Sequence, residues 1–326
     1  MKRWSEAASI CERIAALWAR GEGAALATLV SLEGSGYRRP GARLLVERSG
    51  AGTGGLSGGC LEADVIGRAR RVMATGRAIA VRYETGGEEI PPWGLRTGCS
   101  GVLEVWIEPL PPGGASFPLA AVRAALAGDH AFSLASRLVD GAVETRLGEA
   151  RRPIDLGWRA ERFHPPPRLA VIGVGADALP LLELAAGVGF RVTAIDHRAD
   201  VIAALRRRSD IDAAQARPGD GPPPAADLVV VKTHDLELDQ TWIASFLAAA
   251  ARPAYVGVMG SRARVEEVCG GLSFEAREGV RGPVGLDIGA EGPEQLAVSI
   301  VAELLASCSS RMGGSLAERQ SAIHVA

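Results

Sequence analysis

The sequence has few cysteines, and their arrangement excludes the two ways in which sulfur most often stabilises a fold. Its 326 residues contain five, far apart and without a Cys-x-x-Cys pair. This pattern argues against a disulfide framework and against a structural zinc site. Free thiols suit a reducing compartment, so we expect a cytoplasmic protein. The five are Cys11, Cys60, Cys99, Cys269 and Cys308.

The sequence also lacks a large excess of either basic or acidic residues, and it lacks long apolar runs. The 36 basic and 38 acidic residues give a net charge of -2, which indicates neither a nucleic-acid binder nor a membrane-surface protein. No apolar run approaches the roughly 18 residues of a membrane span. Glu6, Glu12 and Arg13 interrupt the first apolar stretch, so we expect no signal peptide.

What is present is the composition of a globular α/β protein. Hydrophobic residues make up 47% of the chain and glycine contributes 41 residues, which suits about two domains. Short strands and two helices predict a compact amino-terminal α/β domain. After Pro165, apolar strands alternate with helices, which predicts a Rossmann-like, doubly wound parallel sheet. The expected divisions are a domain over 1–114, a connector over 115–167, a domain over 168–311 and a tail over 312–326.

A glycine-rich turn opens the second domain. Gly173 and Gly175 follow an apolar strand and precede a helix, and Asp196 ends the next strand, as in dinucleotide-binding folds. Gly173 permits the turn, Gly175 lets backbone amides approach an anion, and Asp196 could accept bonds from a ribose diol. Asp177 places a negative charge beside that phosphate position, which argues against a nicotinamide cofactor.

Further polar residues lie where other strands of this domain end, at the edge where open α/β sheets bind ligands. We interpret His234, Ser261, Arg262 and Asp287 as candidate ligand contacts. His234 can equally be interpreted as a loop residue that binds no ligand. Asp287 can equally be interpreted as a carboxylate that stabilises a turn.

Two loops of the first domain combine glycine with groups that bind anions or metals. The segment from Gly34 to Arg43 holds three glycines and three arginines, and it offers amides and cations to an anion. The segment from Gly54 to Cys60 runs into a helix, whose dipole is expected to favour the Cys60 thiolate. Cys99 lies in a similar glycine setting. Both thiols could be nucleophiles or metal ligands.

Taken together, these motifs resemble the XdhC/CoxF family, accessory proteins that receive molybdenum cofactor and help to load it into xanthine dehydrogenase and related molybdenum hydroxylases. The family commonly has a histidine just after its Gly-x-Gly, where this chain has Asp177. The matching segments are Gly34-Ser35, Arg38–Ala42, Gly58–Glu62, Thr233-His234-Asp235, Tyr255-Val256-Gly257, Gly260-Ser261-Arg262 and Gly282–Gly289 with Pro293 and Glu303, while Gly98-Cys99-Ser100-Gly101 is altered.

The resemblance implies a delivery protein without turnover that carries a phosphorylated pterin bearing a molybdenum dithiolene. It implies an apo molybdenum hydroxylase and a cysteine desulfurase as partners, and a homodimer. The alternative is an NAD(P)-dependent oxidoreductase that uses Asp196 and His234. We predict no catalytic residue, with Cys60 and Cys99 as metal ligands. The predicted cofactor-binding residues are Ser35, Arg38, Arg43, Gly58, Gly59, Cys60, Glu62, Gly98, Cys99, Gly173, Gly175, Asp196, His234, Ser261, Arg262 and Asp287.

Overall fold

The computed structural model describes residues 2–85, 101–114, 117–149, 157–209 and 211–318. The chain divides into two compact units, 1–165 and 166–326. Within the described residues, no helix combines the length and apolarity that crossing a membrane requires.

The first unit is built on a five-stranded antiparallel sheet in the order β3-β2-β1-β5-β4. A three-stranded antiparallel sheet, β7-β6-β8, accompanies it. The elements are α1 (Lys2–Ala19), β1 (Ala24–Gly34), β2 (Arg43–Glu47), β3 (Gly52–Gly54), α2 (Glu62–Thr75), β4 (Ile79–Thr85), β5 (Gly101–Leu110), α3 (Leu119–Ala127), β6 (Phe132–Val139), β7 (Ala142–Glu149) and β8 (Arg159–Phe163).

Alternation along the central strand β1 separates two cores. Ala25, Ala27 and Leu29 belong to the core that contains the apolar face of α2. Ala24 and Leu26 point to the opposite face and belong to the core of α1 and α3. Because successive side chains of a strand lie on opposite faces, one strand contributes to both layers.

The segment expected to be a connector contributes to this second core. Phe132 of β6 stacks on Phe163 of β8 with ring centroids 4.7 Å apart, and Trp4 of α1 meets Phe132 edge-on at 5.4 Å. The Trp4 indole also donates to the Leu126 carbonyl at 3.1 Å. These contacts explain why residues up to 165 form one unit with the amino-terminal helix.

The second unit has the sheet order β11-β10-β9-β12-β13-β14, with all strands parallel. This is the doubly wound order 3-2-1-4-5-6, which confirms the predicted Rossmann-like fold. Its elements are β9 (Arg168–Ile172), α4 (Leu179–Gly187), β10 (Arg191–Asp196), α5 (Ala199–Arg208), β11 (Asp212–Gln215), β12 (Leu228–Val231), α6 (Leu236–Leu247), β13 (Tyr255–Val258), α7 (Arg262–Gly270), α8 (Phe274–Glu278), β14 (Val280–Arg281) and α9 (Gly292–Cys308).

The strand order reverses between β9 and β12, the two central strands. In such sheets the crevice for a ligand lies beyond the carboxyl ends of the strands at this reversal. The glycine-rich turn follows β9 and the Thr233-His234 segment follows β12, so both predicted clusters reach the same edge.

Candidate functional sites in the two units

The glycine-rich turn of the second unit is closed against the end of β12. Gly173 has φ +84°, and its amide donates to the Ile195 carbonyl at 2.8 Å. A Cβ at this position would lie 2.5 Å from the Thr233 Cα, so glycine is required for both conformation and space. The predicted role of Gly173 in a tight turn thus has a clear steric basis.

The position expected for a phosphate contains an internal ion pair. Asp177 lies just after Gly175, and a Cβ at Gly175 would be 2.7 Å from the Asp177 Oδ1. The buried Lys232 Nζ donates to Asp177 Oδ2 at 2.9 Å. Desolvation favours the neutral acid, but the Lys232 ammonium outweighs it and lowers the pKa of the Asp177 carboxyl. The chain's own anion therefore stands beside the turn.

Asp196 is fully engaged within the fold. Its Oδ1 accepts from the amide and the Nε of Arg198, both at 2.9 Å, and its Oδ2 accepts from the Val174 amide at 2.9 Å and Arg198 Nη2 at 2.8 Å. Although burial opposes ionisation, these bonds lower the pKa of Asp196 to about 2. A carboxylate has about four lone-pair positions, so a ribose diol would have to displace Arg198.

His234 is exposed and has a left-handed backbone, with φ +65°. Its neighbour Thr233 is held by Asp239, whose Oδ1 accepts from the Thr233 amide at 3.0 Å and from its Oγ1 at 2.6 Å. Arg264 of α7 donates to Asp239 Oδ2 at 2.6 Å. Asp239 is fully buried and was absent from the predicted site. The sequence signal was an acid near the start of a largely apolar helix.

The other candidates of the second unit lie on structured loops. Ser261 caps α7 by accepting from the Arg264 amide, and Arg262 and Asp287 are exposed. The loop that carries Asp287 is fixed to α9, because Glu303 Oε2 accepts from the Gly285 amide at 2.5 Å and from the Tyr255 hydroxyl at 2.9 Å.

In the first unit, the loop before α2 closes on Glu62, the first residue of that helix. Its Oε1 accepts from the amides of Leu56 at 3.1 Å and Ser57 at 2.8 Å. Its Oε2 accepts from the Ser57 hydroxyl and from the Leu61 amide. Burial alone would raise the pKa of Glu62, but these bonds lower it. Glu62 thus acts inside the loop as the anion that the loop amides bind.

Cys60 lies in the same loop, two residues before the start of α2. Its side chain is partly buried and packs against the core that contains α2. Gly58 and Gly59 before it are exposed, and Gly59 has φ +109°. The Tyr37 ring lies over Gly58: a Cβ there would be 3.9 Å from Tyr37 Cγ. The structure therefore brings the two predicted loops of this unit together.

Two of the three arginines in the 34–43 loop are paired within the unit. Arg38 donates to Glu6 of α1 at 2.5 Å, and Arg43 is bonded to Glu161 of β8 at 2.6 Å. Arg39 has no ion-pair or hydrogen-bond partner for its guanidinium among the described residues. Ser35, at the start of the loop, is exposed and makes further contacts. Gly98 and Cys99 lie outside the described residues.

Sequence reasoning also missed a buried carboxyl group on β5 of this unit. Glu108 of β5 is buried, and neither its Oε2 nor the Oε1 of Glu161 has a hydrogen-bond partner among the described residues. Burial raises the pKa of Glu108 to about 8, although the nearby Arg43 opposes the shift. Glu108 is therefore neutral at pH 7, and nothing in its strand pattern distinguished it from a solvent-facing acid.

Comparison with known proteins shows the family. Residues 169–304 match the model of the XdhC Rossmann domain, and residues 17–84 match that of the XdhC and CoxI family. A Bacillus subtilis (strain 168) protein described as a probable subunit of xanthine dehydrogenase is 30% identical, over 87% of this chain and 93% of that protein. This chain belongs to the XdhC and CoxI family.

Two further relatives of the XdhC and CoxI chain span most of its length. The molybdenum cofactor insertion chaperone PaoD of Escherichia coli (strain K12) is 29% identical, over 87% of this chain and 83% of PaoD. A crystal structure from Bacillus halodurans, described as a xanthine dehydrogenase, aligns with a TM-score of 0.77 at 27% identity, over 95% of this chain and 98% of that one. The expected family membership is confirmed.

Proposed function

We propose that this chain binds molybdenum cofactor as cargo and delivers it, after sulfuration, to a molybdenum hydroxylase of the xanthine dehydrogenase type. The observation that carries the proposal is the alignment with the insertion chaperone PaoD across both units. A cysteine desulfurase would supply the sulfur, and the expected homodimer in the cytoplasm stays part of this proposal.

Cys60 is the residue of the described first unit best suited to approach the cargo metal. A molybdenum dithiolene is a soft, anionic group, and a thiolate is a soft ligand. Cys11, the other described cysteine of this unit, is buried in the core, and burial raises the pKa of its thiol to about 11. Cys60 instead follows two exposed glycines that leave the backbone open. Cys99 remains a second candidate ligand.

Arg38 and Arg43 fit the cargo less well than expected, because Glu6 and Glu161 already pair with them. Breaking the Arg43 pair would leave a buried charge without compensation, which costs several kcal/mol. The amides of Leu56, Ser57 and Leu61 are likewise occupied by Glu62. The contacts to cargo must therefore come from groups that these networks leave open.

The alternative oxidoreductase function gains no support from the second unit. A bound dinucleotide would need the phosphate position beside Asp177 and the lone pairs of Asp196, and both carboxylates are engaged by cations of the chain. An added phosphate beside Asp177 would also repel it at close range. These contacts favour a carrier over a hydride-transfer enzyme.

The test is anaerobic purification from a host that makes molybdenum cofactor, with molybdenum and pterin measured on each variant. We expect about one pterin per binding site in wild type and a loss in the Cys60→Ala, Cys99→Ala double variant. Cys308→Ala is the matched control, since Cys308 is an exposed thiol of the second unit. Wild-type protein without molybdenum and pterin would contradict the proposal.

Delivery needs a separate measurement. Loaded wild type, mixed with purified apo-hydroxylase, should restore hydroxylase activity faster than free cofactor at the same concentration. Pre-treatment with a cysteine desulfurase and cysteine should raise the restored activity further. If loaded protein gives no more activity than free cofactor, the chain stores cofactor without delivering it.

A further inference from the structure

Tyr37 is an exposed aromatic residue that no function described so far uses. It lies in the loop between β1 and β2, and 71% of its surface is accessible. Most other large aromatics of the described first unit are buried, among them Trp4, Tyr83, Trp106, Phe117 and Phe163, and Trp18 and Trp158 are partly buried. An aromatic ring this exposed, in a unit whose other described rings are buried or partly buried, is a candidate for contact with a ligand.

The surroundings of Tyr37 fit a planar ligand. The ring lies next to Gly58, because a Cβ added at that glycine would be within van der Waals distance of Tyr37 Cγ. Gly59 has open space where a Cβ would be, and Cys60 follows. The ring therefore lies beside a backbone with no side chain at 58 or 59 to block a flat molecule, and Cys60 is the next residue along the chain.

Arg39 supplies the charge that this surface otherwise lacks. It lies two residues after Tyr37, so the Cα atoms of the two residues are at most about 7 Å apart. Arg38 and Arg43 are held by Glu6 and Glu161, whereas the guanidinium of Arg39 is unpaired within the described part of the chain. A guanidinium binds phosphate through two parallel hydrogen bonds, so Arg39 can recognise a phosphate ester without breaking a buried pair.

We infer that Tyr37 stacks on the ring system of the pterin cargo and that Arg39 binds its phosphate. This inference rests on the proposed function and assigns its ligand contacts to residues outside the predicted set. The conjugated rings of a pterin present a flat face to the phenol, as nucleic-acid bases do to aromatic side chains. Tyr37 gives shape selectivity, while Arg39 gives selectivity for the phosphorylated form.

The test measures binding of two probes under anaerobic conditions: cofactor released from a purified molybdenum hydroxylase, and 6-hydroxymethylpterin, which has no phosphate. Tyr37→Leu should weaken binding of both probes by about 5- to 150-fold, the range that stacking contributes per base, and Tyr37→Phe should retain it. Phe274→Leu is the matched control, because Phe274 is 73% exposed in the second unit.

Arg39→Gln should weaken binding of the phosphorylated cofactor about tenfold, reduce the salt dependence of that binding, and leave 6-hydroxymethylpterin unaffected. Arg207→Gln removes an exposed charge from α5 and is the control for net charge. Wild type that binds neither probe overturns the proposed function. Wild type that binds cofactor while Tyr37→Leu binds it equally well overturns this inference alone.

Discussion

The two glycine-rich loops that precede helices in this protein look alike in sequence but are closed in different ways. In the first unit, Glu62 is bound by amides and a hydroxyl from the six residues before it. In the second, Asp177 is bound by Lys232, which is 55 positions away and lies just after strand β12. The Glu62 carboxylate is bound by its own loop, whereas the Asp177 carboxylate is bound by a lysine at the end of a strand of the sheet.

This difference shows that a glycine-rich loop before a helix can serve the fold as well as a ligand. Such a loop before a helix offers amides to an anion, and the anion can be a side chain of the protein. At Glu62, local backbone amides bind the carboxylate, so this anion is a structural part of the loop. Where one buried cation holds the anion, as at Asp177, removing the carboxylate leaves a positive site of the kind that binds phosphate.

The two units should also differ in their response to pH, and this gives the largest predicted effect. Glu108 is raised to a pKa of about 8 in the folded first unit. The folded state therefore holds a proton that the unfolded chain releases above its ordinary pKa of about 4.5, so stability falls as pH rises between these values. We expect a loss of about 3 kcal/mol from pH 5 to pH 8.

Hydrogen exchange of β5 peptides measures this loss unit by unit. Glu108→Gln cannot ionise, so it should make the first unit less dependent on pH and more stable than wild type at pH 8 and above. Peptides from β9 in the second unit serve as an internal reference. Parallel pH profiles in wild type and Glu108→Gln would show that Glu108 does not hold its proton.

Removing the local anion should destabilise the first unit. Glu62→Ala leaves the amides of Leu56, Ser57 and Leu61 without their acceptor, and we expect a loss of about 2 kcal/mol, as for a lost helix cap. Denaturant unfolding measures it, with Glu84→Ala, an exposed acid of β4, as the control. A Glu62→Ala variant as stable as wild type would contradict a structural role for this carboxylate.

Removing the anion of the second unit should create an anion site instead. Asp177→Ala leaves the buried Lys232 ammonium unpaired, at a cost of about 1 to 2 kcal/mol after allowing for the partial exposure of Asp177. Sodium sulfate should restore the melting temperature more than sodium chloride of equal ionic strength. The Asp177→Ala, Lys232→Met double variant should lose this preference. Equal responses to both salts would mean that no anion site forms.

Acid gives the smallest predicted effect, and its sign is opposite to that of Glu108. Asp196 has a pKa of about 2 when folded, below its ordinary value, so its contribution is present above about pH 4 and is lost as pH falls towards 2. From pH 6 to pH 3 we expect a loss of about 1 kcal/mol from the second unit. Asp196→Asn should remove that part of the acid dependence in β9 and β10 peptides, and an unchanged profile would contradict it.

The sequence predicted the second unit better than the first because its signals are periodic and local. Apolar strands alternating with helices indicated the parallel sheet, and Gly173 before a helix indicated the turn. Among the strands that were not predicted, β3 is Gly-Thr-Gly and β11 is Asp-Ala-Ala-Gln, so neither has the β-branched run that marks a strand. Neighbouring strands pair with them despite their composition.

The candidate sites were predicted as lists of residue types, whereas their contacts depend on pairs far apart in sequence. The sequence predicted that Arg43 binds an anion, but in the structure Glu161 of β8 pairs with it. Asp239 was not predicted, and its role is apparent only from its bond with Arg264 of α7. No spacing rule connects such pairs. Glu62 is different, since its partners lie within six residues and an acid in the first turn of a helix is a known stabilising arrangement.

The aromatic cluster of Trp4, Phe132 and Phe163 has a consequence for the order in which the protein folds during synthesis. Trp4 is synthesised first of the three, and Phe163 is the last. The part of the α1 apolar face that Phe132 and Phe163 complete therefore stays open until Phe163 has been synthesised. A fragment cut at residue 114 would remain in that unfinished state, and we expect it to aggregate where a fragment ending at 165 stays in solution.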